Sequence, residues 1–571
     1  MSASAGTRES RTQDGTVHEL ALRAAAVSIF IALFIEFYWT TLRSKFRLLS
    51  GDEGDAMFVA ALHDHVYQSL LGHASLRNPP FFFPAQGVLG YSDAFLLNQI
   101  FFAPLRALGV EQLLAVQLTW MILSVMGGIA FALLLNRFFL VRAWLAILSG
   151  GIFAFGHTLY MKMIHSQHLA IHFLPIVGLL ALSATLRERS PARTAALAFA
   201  AGLLFGLTFT TGFYMAWFFT FFLLLALPVF AFLYWTTIAA YVRAHSRRLL
   251  VASMAGLVGF AIGAGVLFSI YGPAIAALGG TSADRYLVTA AGVRDIINVS
   301  DGNLVWGALL RATQLIPLHR LQMTESHLAV TPLLVLATVT ATMLLLRNRQ
   351  SSEYGQMAAA LCVAILFGYA ALYVLTVSFR GTTSLFLMVQ EIVPGAIAIR
   401  AGFRSQVLSA MFISMALAVA AEAYLRRAEK HGLARARDVH SLAILFAGAV
   451  LALEQVDHKP LARADREREI AIMTSALRPP ASCRVFAIYD DMSHTLPAIQ
   501  IEAVRLSQQF DIPTVNGYSG GNPPGWDLAD VWKPNYIDKV KIWARDKAIA
   551  GPLCLYDAAA KSWYEIGSAP F

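Results

Sequence analysis

The sequence predicts a polytopic α-helical membrane protein of about 11 transmembrane helices, with a small α/β soluble domain at its C-terminal end. Three observations predict it. Hydrophobic residues make up 57% of the 571 residues against 14% charged, at a mean hydropathy of +0.59. Apolar runs of spanning length recur between residues 20 and 455. From about residue 456 the chain changes to short strand-like and helix-like stretches divided by turn signals.

The expected spans are 20–42, 112–136, 143–160, 168–186, 194–211, 213–241, 249–272, 328–346, 356–378, 406–425 and 439–455. Residues 1–19 are polar and lack a cleavable-signal pattern, so they form an N-terminal tail and the first span reads as a retained signal-anchor. Basic residues settle the expected sidedness. Arg8, Arg11 and Arg23 precede span one, and Arg137 and Arg142 separate spans two and three. Arg187, Arg189 and Arg193, then Arg243, Arg247 and Arg248, then Arg347 and Arg349, then Arg426, Arg427, Lys430, Arg435 and Arg437 mark every second connection after that. Those connections, and the N-terminus, are expected in the cytoplasm. The net charge of +9 is used in this way and does not indicate nucleic acid.

The long connections 43–111, 273–327 and 379–405, and the tail 456–571, are then extracytoplasmic: periplasmic, for a bacterial inner membrane. Segment 94–108, short and broken by Pro104, is expected to lie in the interface. Gly256, Gly259, Gly263 and Gly265 in span seven are expected to allow close helix packing. In the tail, Glu467–Ala476, Leu496–Gln508 and Tyr536–Asp546 read as helices. Cys483–Tyr489, Ile512–Val515 and Leu553–Tyr556 read as strands. Cys362 reads as a packing residue. Cys483 and Cys554 are free to pair in an oxidising compartment, although no spacing rule requires it.

The first outward loop opens on Gly51-Asp52-Glu53-Gly54-Asp55, three carboxylates within four positions. Such crowding calls for a cation, a proton or a hydroxyl. Asp52 and Asp55, three apart, can converge on one object, either as a base for an acceptor hydroxyl or as oxygen ligands of a divalent cation such as Mg2+ or Mn2+. The plainer reading is a solvated acidic turn.

Arg400 and Arg404, four apart, are expected to share a helix face at the outer end of span ten and to grip phosphate oxygens. Otherwise they snorkel or pair with Glu391, and Arg380 is held in reserve. Lys162, His165, His168 and His172 gather at the junction of spans three and four. The histidine spacing can line one helical face, as ligands, as donor-phosphate contacts, or as interfacial histidines bonded to backbone. Tyr518 and Trp526 lie in a turn-rich loop where aromatic rings either stack on a sugar or serve packing.

The layout resembles the GT-C fold membrane glycosyltransferases, which use polyprenyl-phosphate-linked sugars and carry an essential acidic residue in the first outward loop. Five stretches carry the resemblance: Gly51-Asp52-Glu53-Gly54-Asp55; Phe83-Pro84 with Gly90-Tyr91-Ser92-Asp93; Phe153-Ala154-Phe155-Gly156-His157 ahead of His165-Ser166-Gln167-His168; the run from Val393 to Arg404; and the run from Pro513 to Gly520. It is similar to uncharacterised bacterial members. The "WWD" signature of the oligosaccharyltransferase branch is absent from the tail.

The resemblance implies a hexosyl- or pentosyltransferase in which Asp52 is the base and Asp55 or Glu53 its partner, directly or through a metal. It places Tyr91 and Asp93 at the substrate. The implied partners are a polyprenyl-phosphate-linked sugar, a glycan, lipid or protein acceptor, and membrane lipids. The competing readings are a transporter or flippase of lipid-linked sugar and a non-catalytic envelope assembly protein. The first would carry polar residues at mid-span and paired broken helices, whereas the charges here gather in outer loops.

Overall fold

The structure, a computed structural model, describes residues 3–163, 165–188, 190–323, 325–347, 352–430, 434–491 and 496–566. Side chains are described from residue 17 on, apart from 322, 434–437 and 496. Arg189 and Arg349 of the expected basic connections lie outside the described residues, as do the side chains of Arg8, Arg11, Arg435 and Arg437.

Among the described residues, nine helices are long and apolar enough to cross a membrane: Val17–Phe37, Gln112–Phe138, Ala143–Met161, Ser166–Arg187, Pro191–Thr211, Phe213–Leu233, Trp235–Leu278, Glu353–Thr376 and Gly402–Lys430. The shorter Pro332–Arg347 and the helix Ala434–Glu454 occupy the places of the two remaining expected spans. The protein is an integral membrane protein.

The differences from expectation have physical causes. The first helix begins at Ala3, so the polar residues before the first span continue it. The connection expected between 241 and 249 is helical. Residues 234–250 contain no glycine or proline, so nothing interrupts the backbone ladder, and the 44-residue helix Trp235–Leu278 bends only at His245 (φ −126°, ψ 21°). Segment 94–108 contains the nine-residue helix Gln99–Ala107, about 14 Å long, far short of a bilayer core.

The two glycine-bearing helices Pro191–Thr211 and Trp235–Leu278 pack backbone to backbone. A Cβ on Gly202 would stand 2.0 Å from the Gly256 carbonyl oxygen, one on Gly259 2.2 Å from that of Phe199, and one on Gly263 2.8 Å from Gly206 Cα. Gly265, by contrast, faces open space and takes no part.

The tail is a three-stranded sheet, Val485–Tyr489, Leu553–Asp557 and Ser562–Glu565, with the first pair parallel and the second antiparallel. Helices Arg466–Ser475, Leu496–Phe510 and Tyr536–Asp546 accompany it, and Cys483 and Cys554 are disulfide-bonded across 5.8 Å between Cα atoms. The strand expected over Ile512–Val515 reduces to one bridge, Thr514 with Phe486, because this segment instead hydrogen-bonds the first outward loop.

That docking positions the site. Phe82 N–H donates to the Asn516 carbonyl at 2.8 Å, Phe83 N–H to that of Thr514 at 2.9 Å, and Thr514 N–H to that of Pro80 at 2.9 Å. The strand Leu48–Ser50 pairs antiparallel with Arg463–Asp465. The first loop and the tail are therefore stitched together just before the acidic turn, at 48–50, and again beyond the helix that follows it, at 80–83.

Candidate active site

The acidic turn is built by its glycines and its helix. Gly51 sits at φ +105°, where a Cβ would also meet Ala56 Cβ at 2.3 Å, so only glycine fits. Asp55 opens the helix Asp55–Leu70. Asp52 Oδ1 accepts from the Gly54 and Ala56 backbone N–H groups, each at 3.2 Å, and so ties down the start of that helix.

Asp55 points into a cluster drawn from four distant parts of the chain. Its Oδ1 accepts from the Tyr518 hydroxyl at 2.5 Å, and its Oδ2 lies 3.0 Å from His165 Nδ1. A Cβ on Gly517 would strike the Phe82 ring at 2.5 Å. Glycine is thus needed where the tail crosses the loop to deliver Tyr518. Phe58 packs edge-on against the Tyr518 ring at 5.3 Å.

Beside Asp55 lie two buried cations. Lys162, 2% exposed, follows the short helix His157–Met161. Arg404, 4% exposed, closes the turn Gly402–Arg404 that leads into the helix Ser405–Lys430. Glu325 joins them. Its Oε1 is 2.9 Å from Lys162 Nζ and 2.5 Å from Arg404 Nη2, and its Oε2 accepts from Arg404 Nε at 3.1 Å. His165 Nε2 stands 3.9 Å from Glu325 Oε1, so its ring lies between the two carboxylates. The Arg404 guanidinium also covers the Tyr214 ring at 5.5 Å.

Proton affinities follow from this arrangement. Burial, with the Asp55 charge, raises that of Asp52 against the two backbone N–H bonds. Burial would raise Asp55 as well, but the His165 and Tyr518 hydrogen bonds and the Arg404 charge outweigh it and hold Asp55 below the usual carboxylate range. Glu325 is likewise buried, yet Arg404 and Lys162 keep it ionised to well below that range. Burial pushes Lys162 down to about 8, with Arg404 adding to the effect and Glu325 opposing it. Burial and the two neighbouring cations lower His165, against the pull of Asp55.

The other expected residues are distributed differently. Glu53 turns outward to an exposed pair with Arg468 at 2.8 Å, away from the cluster. Arg400 and Arg404 do not share a helix face, because the helix starts only at Ser405 and Arg400 precedes the Gly402–Arg404 turn. Arg400 N–H instead donates to the Tyr214 hydroxyl at 2.8 Å, and its charge reaches Tyr518. Arg404 pairs with Glu325 rather than with Glu391.

The histidines do not line one α-helical face either. Ser166–Phe173 is a 3-10 helix with three residues per turn, which turns His172 away from His168. His165 and His168 remain neighbours, with ring centroids 6.3 Å apart, while His172 packs on Phe153. His168 Nδ1 bonds the His165 carbonyl, and its buried Nε2 has no protein partner among the described residues.

Asp93 accepts from Phe213 N–H at 3.0 Å, and burial pushes it up to about 6 against that bond and the Arg404 charge. Tyr91 is buried edge-on against Phe82. Trp526 also packs edge-on against Phe82, at 4.9 Å, and its indole N–H bonds the Val515 carbonyl. Trp526 therefore serves the packing of the tail and presents no open ring face to a sugar.

Asp52 and Asp55, the residues expected to hold a divalent cation, are bonded to protein groups in this arrangement. Both Asp55 oxygens are engaged by Tyr518 and His165, and one Asp52 oxygen holds two backbone N–H groups. Among the described residues no group of three or more His, Cys, Asp or Glu is arranged to hold a metal. Glu325 is the member of the cluster that sequence reasoning missed. It is one acid in a long irregular connection, with no periodicity to mark it.

No family model and no curated protein sequence matches the chain. Among solved structures the chain is similar to the archaeal oligosaccharyltransferase AglB from Archaeoglobus fulgidus in complex with an inhibitory peptide and a dolichol-phosphate. That likeness has 13% identity, 94% of this chain and 69% of that chain covered, and a TM-score of 0.49. It is also similar to ArnT from Cupriavidus metallidurans in the apo state, at 12% identity, with 96% and 93% covered and a TM-score of 0.42. The form of ArnT bound to undecaprenyl phosphate gives 10%, 87%, 85% and 0.39. These neighbours are GT-C membrane glycosyltransferases, the class the sequence resembles. Likeness at this level carries no argument about activity, which has to come from the site.

Proposed function

We propose that the protein is a membrane glycosyltransferase that moves a hexosyl or pentosyl group from a polyprenyl-phosphate donor to a glycan, lipid or protein acceptor. The observation that carries this reading is the buried Lys162–Arg404 pair of cations beside the Asp52–Asp55 carboxylates. An inverting transfer needs a base at the acceptor hydroxyl and positive charge where the leaving phosphate gathers electrons.

Asp52 is the better base of the two. Its proton affinity is raised, and its Oδ2 is not committed to the two backbone bonds that hold Oδ1. Asp55 stays ionised and aligns His165 and Tyr518. In the transfer, the acceptor oxygen bonds to the sugar C1 and its proton passes to Asp52. The C1–O bond to phosphate breaks, and its electron pair stays on the phosphate, facing Lys162 and Arg404. Arg400, whose charge reaches Tyr518, adds to the positive field.

The outward loops and the tail meet at this one end of the bundle. The expected cytoplasmic residues Arg142 and Arg426 pair with Glu422 elsewhere, between the helices that carry them. That distribution supports a site on the periplasmic side of a bacterial inner membrane, with the N-terminus in the cytoplasm and 456–571 outside. It also favours an enzyme over a transporter, whose charges would stand at mid-span.

The test is transfer in detergent from radiolabelled polyprenyl-phosphate sugars, comparing wild type with Asp52→Asn. The expected result is transfer by the wild type and a loss of at least about 100-fold in the variant. Equal transfer by both removes Asp52 as the base. No transfer by the wild type from any such donor overturns the proposed activity.

A further inference from the structure

Lys162 and Arg404 are both almost wholly buried, and a buried cation left without a counter-anion is prohibitively unfavourable. Some anion must therefore stand between them whether or not a substrate is bound. In this structure that anion is the Glu325 carboxylate. It makes three contacts of 2.5, 2.9 and 3.1 Å with the two cations, two of them in the forked geometry that a guanidinium offers equally to carboxylate and phosphate oxygens.

The three partners are anchored unequally. Lys162 follows a short helix wedged behind Gly156, where a Cβ would meet the Ile152 carbonyl at 2.7 Å, and Arg404 leads directly into a 26-residue helix. Glu325 lies in the irregular stretch between the helices Leu318–Gln322 and Pro332–Arg347, at the edge of the buried run Ser326–Thr331, in which the His327 carbonyl meets His157 Nε2 and the Ala329 N–H donates to the Asn298 carbonyl. Of the three, the acid has the most exposed side chain, at 14% against 1% for Lys162 and 5% for Arg404.

The charge count points the same way. Lys162 and Arg404 balance Glu325 and Asp55, so the cluster is neutral as it stands. A phosphate ester brings at least one further negative charge. With Glu325 still in place that would leave the cluster negative in a poorly solvated site. With Glu325 withdrawn it remains close to neutral.

We propose that Glu325 is an internal stand-in for the donor's phosphate: its carboxylate occupies the phosphate position between Lys162 and Arg404 and must leave that position for a phosphate ester to bind. This rests on the glycosyl-transfer reading for the identity of the ligand, but the exchange of one anion for another is a separate event with its own readout. In the empty protein the acid keeps the cations ordered. On binding, the Glu325 side chain withdraws, so each binding event is coupled to the displacement of its carboxylate from the two cations.

The full-length protein in detergent is titrated with geranylgeranyl monophosphate, and with inorganic phosphate in a parallel arm. Affinity is compared among wild type, Glu325→Gln, Glu325→Asp and Arg404→Ala. The expected result is binding at least about tenfold tighter in Glu325→Gln, an intermediate affinity in Glu325→Asp, and loss of binding in Arg404→Ala. In the wild type, labelling of Glu325 by a water-soluble carbodiimide, read by mass spectrometry, rises as the ligand is added. This arm needs no variant, so it holds even where Glu325→Gln fails to fold.

Whichever of the two phosphates raises the labelling identifies whether the lipid ester or the free anion is taken. Labelling that falls or stays flat while the ligand binds overturns the stand-in role, as does a folded Glu325→Gln that binds no tighter than wild type. If neither phosphate binds the wild type nor any variant, the phosphate site itself is wrong, a failure distinguishable from the first.

Discussion

The Tyr518 hydroxyl donates a 2.5 Å hydrogen bond to Asp55 Oδ1 across 463 residues of sequence, so the soluble tail supplies a side chain to the cluster at the mouth of the helical bundle. The bond exists because the tail segment 514–516 hydrogen-bonds residues 80–83 and because Gly517 lets the chain pass the Phe82 ring. Tyr518→Phe removes one hydrogen bond to a charged group, an effect of about 1.5–3 kcal/mol, so kcat should fall about 10- to 100-fold. The sign of the pH effect is fixed. The Tyr518 bond helps to hold Asp55 ionised, so its loss raises the Asp55 proton affinity and moves the acid limb of kcat/KM to higher pH. An unchanged acid limb would show that the bond is only structural.

Lys162 sets the alkaline side. Burial and Arg404 bring it down to about 8, so the free enzyme loses this positive charge as pH rises through that value. The rate at low donor concentration should fall above about pH 8. In Lys162→Arg the alkaline fall should disappear, because a guanidinium stays charged. A wild-type profile flat to pH 10 would contradict the assignment.

Asp93 gives a stability prediction of opposite sign to that of an ordinary ion-paired carboxylate. Its folded-state value near 6 lies above the unfolded value of about 4, so between the two the native state holds a proton that the unfolded chain has lost. Stability therefore falls as pH rises through that window and levels off above it. Asp93→Asn keeps an acceptor for Phe213 N–H and removes the charge. Its melting temperature relative to wild type should rise between pH 4 and pH 7.5, as measured by thermal unfolding in detergent. A relative decline over that range would refute the burial argument.

Gly259→Leu tests the close packing of Pro191–Thr211 on Trp235–Leu278. The new Cβ meets the Phe199 carbonyl at 2.2 Å, a contact with backbone that no rotamer can relieve. The helices must separate, at a cost of about 3 kcal/mol or more, with a matching fall in melting temperature. Gly265→Ala, placed in open space, should be nearly neutral by the same measurement.

Because Asp52 and Asp55 spend three of their four oxygens on protein donors, removal of divalent ions should leave transfer within about twofold. Abolition by EDTA, with rescue by Mg2+ or Mn2+, would show that the carboxylates rearrange around an ion.

The helical membrane architecture, the small α/β tail and the acidic turn were legible from residue order because each is a local property. Spanning length and apolar content decide whether a segment prefers a bilayer, and two glycines around three carboxylates mark a turn. The grouping of Lys162, His165, Arg404 and Tyr518 was visible only as separate candidates, and Glu325 not at all. Residue spacing reports neighbours along a helix, whereas these side chains meet through a loop, two helix ends and a docked domain. Spacing also misled at Arg400 and Arg404, where the helix begins at Ser405, after both residues, so the pair shares no helix face. Tertiary structure alone decided which charges are buried together. Burial turns a scatter of ionisable residues into a coupled cluster, since each buried charge must find its opposite wherever the chain brings one near.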